Sequence, residues 1–146
     1  MNRINIIALG VRDMARSVKF YRDGLGFKTN ETSDSPQVIF FDCNGAKLEL
    51  YPLEGIAKDI NAENPPKIAE GFAGVTLAYN CKSEGEVREV IEQARKTGAV
   101  IAKEPQKAFW GGYHAYFADP DGYYWEVAYS PLWKFDENDM IILENE

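Results

Sequence analysis

One histidine and two cysteines are all that 146 residues offer of imidazole and thiolate metal ligands. Cys43 and Cys81 stand far apart, so they form neither a Cys-x-x-Cys pair nor a disulfide framework and read as free, buried or half-buried thiols. No run approaches the roughly 20 apolar residues of a membrane span, and no charged-then-apolar leader opens the chain. The expectation is a cytoplasmic protein with no membrane contact. Basic residues are also scarce: 16 Lys and Arg face 23 Asp and Glu, for a formal charge of −7. None of them cluster, which excludes a nucleic-acid partner, because phosphate binding needs a concentrated excess of Lys and Arg. The acid gathers at Glu84/Glu86/Glu89/Glu92 and between Asp136 and Glu146, where solvated faces account for it.

What the chain does have is repetition. Asn44-Gly45-Ala46-Lys47-Leu48-Glu49-Leu50 returns as Asp121-Gly122-Tyr123-Tyr124-Trp125-Glu126-Val127. Asn-Gly and Asp-Gly steps between apolar runs signal tight hairpins, whose two central residues need positive φ. The strand period of two then sets Glu49 opposite Leu48 and Leu50, and Glu126 opposite Trp125 and Val127. Upstream, Ile4–Val11 is matched by Phe72–Tyr79, each followed by a helical pattern. In the first copy Asp13 caps a helix carrying Met14, Val18, Tyr21 and Leu25 at helical spacing. In the second, Ser83-Glu84-Gly85-Glu86 reads as a capping box, Val87, Val90, Ile91 and Ala94 form the apolar stripe, and Gly98 is the stop. Each copy is a strand, a helix and a run of strands. Internal repetition of this kind decides the fold before any chemistry does.

The expected class is α+β: two βαβββ repeats in a pseudo-twofold arrangement, bent mixed sheets with helices on the outer face. At 45% hydrophobic, 146 residues suffice for one core, so a single domain spanning 1–146 is expected. It comprises repeats at about 4–52 and 72–129, a linker at 53–71 and a tail at 130–146. Pro65-Pro66 forbids a long linker helix, leaving a short one at Ile56–Ile60. In the tail, Trp133 and Phe135 need cover, either on their own domain or across a dimer. With strand edges to hide as well, a homodimer is expected.

The segments Leu9-Gly10-Val11-Arg12-Asp13-Met14 through Phe20-Tyr21-Arg22-Asp23-Gly24-Leu25-Gly26-Phe27, and Phe117-Ala118-Asp119-Pro120-Asp121-Gly122-Tyr123-Tyr124-Trp125-Glu126-Val127, resemble the opening and closing signatures of the vicinal oxygen chelate superfamily. That group contains the glyoxalases, bleomycin-resistance proteins and extradiol dioxygenases. The resemblance runs from Asn5 to about Tyr129 and is specific for fold, while the reaction varies from member to member. It implies four metal-ligand positions, which fall on Ile6, Gly74, Glu49 and Glu126. Two carry glutamate; isoleucine and glycine cannot ligate. Two carboxylates without an imidazole hold a divalent ion only weakly, so the site reads as metal: none, with Glu49 and Glu126 as ligands in the alternative.

Parity gives one face of the two sheets as Ile6, Ala8, Glu49, Tyr51, Thr76, Ala78, His114, Tyr116, Tyr124, Glu126 and Ala128. Small residues leave volume, rings supply flat walls and a few polar groups fix orientation, which is the composition of a ligand cavity. The bland alternative is a face filled by its own aromatics. Glu126 and Glu49 are the candidate catalytic pair, and Tyr51, Thr76, Trp110, His114, Tyr116 and Tyr124 the candidate ligand-binding set. His114 is open to three roles: pocket wall, structural histidine, or ligand of a displaced metal. Trp110, in Phe109-Trp110-Gly111-Gly112-Tyr113, is either a stacking surface at the cavity mouth or an anchor for its own loop. The reading is a glyoxalase/bleomycin-resistance-like protein that binds a small organic ligand in a concave sheet cavity without a high-affinity metal or other cofactor. The alternative is a metal-dependent lyase or isomerase of the glyoxalase type using Glu49 and Glu126. A scaffold with no ligand is the third.

Overall fold

The computed structural model describes residues 1–143; Glu144, Asn145 and Glu146, the end of the expected tail, lie outside the described residues. It divides into two compact units, Met1–Ala73 and Gly74–Glu146, each an α+β repeat with its own mixed sheet. Among the described residues no helix is long and apolar enough to cross a membrane.

The first unit runs β1 (Ile6–Val11), α1 (Met14–Val18), β2 (Ile39–Phe41), β3 (Lys47–Pro52) and α2 (Leu53–Ile60). Its sheet has the order β1-β3-β2, with β1 parallel and β2 antiparallel to β3. Asp13 caps α1 by accepting the Arg16 N–H at 3.0 Å. The helix then widens into a π-helical turn at Lys19–Gly24, which a regular helical stripe does not foresee. The wider turn lets consecutive Phe20 and Tyr21 both bury, their rings edge to face at 5.1 Å. Tyr21 meets Phe27 and Phe41 behind the sheet, where Ile39, Leu48 and Leu50 complete the core. The linker helix, expected at Ile56–Ile60, starts three residues earlier, directly after β3.

The second unit runs β4 (Thr76–Cys81), α3 (Glu84–Lys96), β5 (Val100–Lys107), β6 (Tyr113–Ala118) and β7 (Tyr124–Tyr129), with sheet order β4-β7-β6-β5. This is the full βαβββ unit. Strand pairing repeats the first unit's scheme, with β4 parallel and β6 antiparallel to β7. Helix α3 buries Val87, Ile91 and Ala94 against the sheet face carrying Ala115, Phe117, Trp125 and Val127. Ser83 Oγ accepts the Glu86 N–H at 3.1 Å. Glu86 reaches back one residue further than a capping box requires, accepting the Lys82 N–H at 2.6 Å.

Between α1 and β2 the first unit keeps only an isolated bridge, Lys28↔Asp42, where the second has β5. The intervening residues bond locally instead: Glu31 N to Thr29 Oγ1, Ser33 N to the Glu31 carboxylate, Ser35 N to Ser33 Oγ. Short polar side chains of this kind compete with a ladder for backbone groups, and Pro36 removes a donor outright.

The hairpin loops also differ from the expected tight turns. Residues 42–46 and 119–123 intervene between strands, with positive φ only at Asn44 (59°) and Gly122 (87°). The cause is an aspartate two positions ahead of each turn dipeptide. Asp42 accepts the Asn44 N–H, and buried Asp119 accepts the N–H groups of both Asp121 and Tyr123, each at 2.9 Å. Aspartate carboxylates used this way nucleate wider turns.

Candidate functional site

The sheet face turned away from α3 is set by register. Thr76, Ala78 and Asn80 on β4 lie beside Tyr124, Glu126 and Ala128 on β7, and these beside Ala118, Tyr116 and His114 on β6. His114 and Glu126 occupy diagonal positions of an antiparallel pair, close enough for long side chains to meet. His114 Nδ1 lies 2.9 Å from Glu126 Oε1. A carboxylate only accepts, so the proton of this bond sits on Nδ1.

His114 is 7% exposed, and among the described residues no buried side-chain nitrogen or oxygen lacks a partner. Its one polar bond is made through Nδ1, so Nε2 keeps contact with solvent. Burial first, then the charge of Glu126, push the Tyr116 phenol above the ordinary tyrosine range. Glu126 is held by the His114 side chain of the neighbouring strand.

Aromatic rings frame this pair. Trp110 meets His114 edge to face at 5.7 Å and stacks on Trp133 at 5.7 Å and 24°, and Tyr116 meets His114 at 5.6 Å. Trp110 reaches His114 because its loop folds back across Gly112. A Cβ there would sit 1.8 Å from the indole and 2.6 Å from the Tyr129 carbonyl oxygen. Only glycine admits that approach. The tail covers its rings within its own unit: Trp133 on Trp110, and Phe135 beneath the Lys82 ammonium at 5.7 Å.

Of the residues singled out from the sequence, Trp110, His114, Tyr116 and Glu126 come together in direct contact. Thr76 and Tyr124 are register partners on the same face, with Thr76 exposed and Tyr124 half-buried. Glu49 and Tyr51 belong to the first unit. There Glu49 is half-buried between Ala8 on β1 and Phe40 on β2, and the Tyr51 ring packs against α2 at Gly55. Two site residues escaped the sequence reading. Trp133 was legible only as a ring in need of cover. Lys103, whose ammonium lies 5.5 Å from the Tyr116 ring centroid, sits on a strand where parity fails. β5 shifts register between Ile101 and Lys103 and again between Lys103 and Gln106. Pro105 was the available signal, because proline inside a strand marks a bulge or an edge.

The metal positions implied by resemblance do not suit a metal here. Ile6 opens β1 with a hydrocarbon side chain, and Gly74 precedes β4 with none. Glu126 is engaged with His114. Among the described residues no three His, Cys, Asp or Glu side chains gather as a group able to hold an ion.

Comparisons with known proteins bear on the whole chain. The chain is 29% identical over 116 residues to the uncharacterized protein YraH of Bacillus subtilis (strain 168), covering 79% of this chain and 88% of that one. A glyoxalase-related enzyme from Fulvimarina pelagi superposes with a TM-score of 0.87 at 26% identity, covering 99% of this chain and 100% of that one. A lactoylglutathione lyase from Agrobacterium tumefaciens shares the fold, with a TM-score of 0.67 at 22% identity over 92% of this chain and 98% of that one. The model of the Glyoxalase/Bleomycin resistance protein/Dioxygenase superfamily matches residues 3–127, and the chain belongs to that superfamily.

Proposed function

We propose that this superfamily member binds a small organic ligand on the open face of its second sheet, without a high-affinity metal. The observation that supports it best is the His114–Glu126 hydrogen bond beneath Trp110, with the Tyr116 ring against His114. An acceptor held by a buried neighbour is preorganised: it presents its remaining lone pairs, and the outward Nε2 of His114, without having to be ordered at the moment of binding. Tyr116, Tyr124 and Trp110 supply flat walls, and Thr76 and Ala78 leave space beside them. Glu49 and Tyr51 take the equivalent part in the first repeat, and the functional particle is a cytoplasmic homodimer.

Glu126 acts as the orienting group in this reading. Removing it strips the ligand of its acceptor and frees His114 to rotate. A fragment screen read by tryptophan quenching and by the His114 ring resonances tests the reading. Glu126→Ala is expected to weaken hits by about 1–3 kcal/mol, and Trp110→Ala by less. Hits indifferent to Glu126→Ala, His114→Ala and Tyr124→Ala alike would overturn it. The lyase or isomerase alternative takes over if purified protein retains about one equivalent of zinc, nickel or manganese through dialysis and Glu126→Gln abolishes that retention.

A further inference from the structure

We infer that the second sheet's open face is built for a planar aromatic anion, its ring lying along the Tyr116, His114 and Trp110 side chains and its charged end on Lys103. This rests on the reading that the open face binds a small organic molecule, and it adds the sign of the ligand's charge.

The chain carries a formal charge of −7, yet this face is an exception. Following the register from β4 across to β5, its one carboxylate is Glu126, which already accepts from His114. Glu104, on β5 beside Lys103, does not add a second, because it is drawn to the helix side by a bidentate pair with Arg95 at 2.9 Å.

Lys103 pairs in register with Tyr116 and holds its ammonium over that ring. Among the described residues it has no carboxylate partner, whereas Lys107, four positions on, is paired with Glu84. The register shifts of β5 put Lys103 and Gln106 beside Tyr116 and His114 although the two are an odd number of residues apart. The bulged strand thus delivers an amine to the row of rings.

That row is continuous. Tyr116 meets His114, His114 meets Trp110, and Trp110 meets Trp133, at centroid separations of 5.6, 5.7 and 5.7 Å. Tyr116, His114 and Trp110 turn edge to face, 70° and 89° between planes, so a flat ligand stacks on one ring and meets the next along its edge. A cationic ligand would be repelled by Lys103, and a neutral one would leave the ammonium unused.

The test uses 2-naphthoate and its neutral counterpart 2-naphthamide, titrated into the full-length protein with tryptophan quenching as readout. Wild type is expected to bind the naphthoate about three- to fivefold more tightly at low ionic strength, as befits a solvent-exposed charge pair, with the preference shrinking in salt. Lys103→Met, which keeps the aliphatic stem, should bring the ratio to unity. Equal affinities in wild type, a preference that survives Lys103→Met, or no binding of either probe at millimolar concentration overturns the inference. Naphthamide binding that is lost in Glu126→Ala, with no naphthoate preference, would overturn the charge assignment alone and leave the open-face reading standing. Binding of both probes that ignores Glu126→Ala would remove the reading beneath it as well.

Discussion

Glu126 and Gly112 show two ways in which one residue holds a site. Glu126 works through what it accepts; Gly112 works through what it lacks, since any side chain at 112 collides with the Trp110 ring and the Tyr129 carbonyl. Gly112→Ala is therefore expected to expel the indole from its place on His114 and Trp133. Tryptophan emission should shift toward that of a solvated ring, and the clash with backbone should cost about 1–3 kcal/mol in a urea titration. An unchanged spectrum would mean that the loop finds another path. Glu126 was legible from parity alone, because its strand alternates without interruption. Lys103 was not, because bulges around Pro105 break the alternation on which parity depends. Asp119 stood in plain view two residues before Asp121-Gly122, but its part in widening the turn needs the two backbone bonds it accepts, which a dipeptide signal does not contain.

At the scale of elements, helices were read well where caps and stripes agreed and less well where packing altered the period. Helix α3 ends as its sequence says, between Ser83 and Gly98. Ser83→Ala removes the acceptor of the Glu86 N–H and is expected to lower stability by about 1 kcal/mol, measured by thermal or urea unfolding. Glu86 is held independently by the Lys82 N–H and the Tyr79 hydroxyl, so the helix should shorten rather than melt. The π-helical turn after α1 was illegible, because it exists to bury Phe20 and Tyr21 together against Phe27 and Phe41, partners brought by the chain's return. The fourth strand of the first sheet fails for a reason the sequence did hold: residues 29–36 are short, polar and closed by proline, and they bond to themselves.

For the whole molecule, the repeat made the α+β class and the succession of elements in the second unit legible, since strand, helix and a run of strands recur in the same order. A consequence of burial belongs at this scale too. Burial, and then the charge of Glu86, push the Cys81 thiol up to about 12 from an ordinary 9.0. Desolvation raises Cys43, Tyr79 and Tyr116 as well. Each of these acids holds its proton more tightly folded than unfolded, so the unfolded chain ionises first. Their contribution is complete below about pH 9 and is lost as pH rises toward 12. The urea midpoint should fall across that window, and less steeply in Cys81→Ala; a midpoint level from pH 9 to 11 would contradict this. The curtailed first sheet has an outcome of a different kind. Val38-Ile39-Phe40-Phe41 is the chain's densest β-forming run, and in the folded unit it ends the sheet with only the Lys28 bridge beyond. During synthesis or refolding such a segment can template fibrils from strand to strand. Pro36 and Asp42 bracket it as gatekeepers, so the feature that cost this sheet a strand also guards the chain against amyloid while it folds.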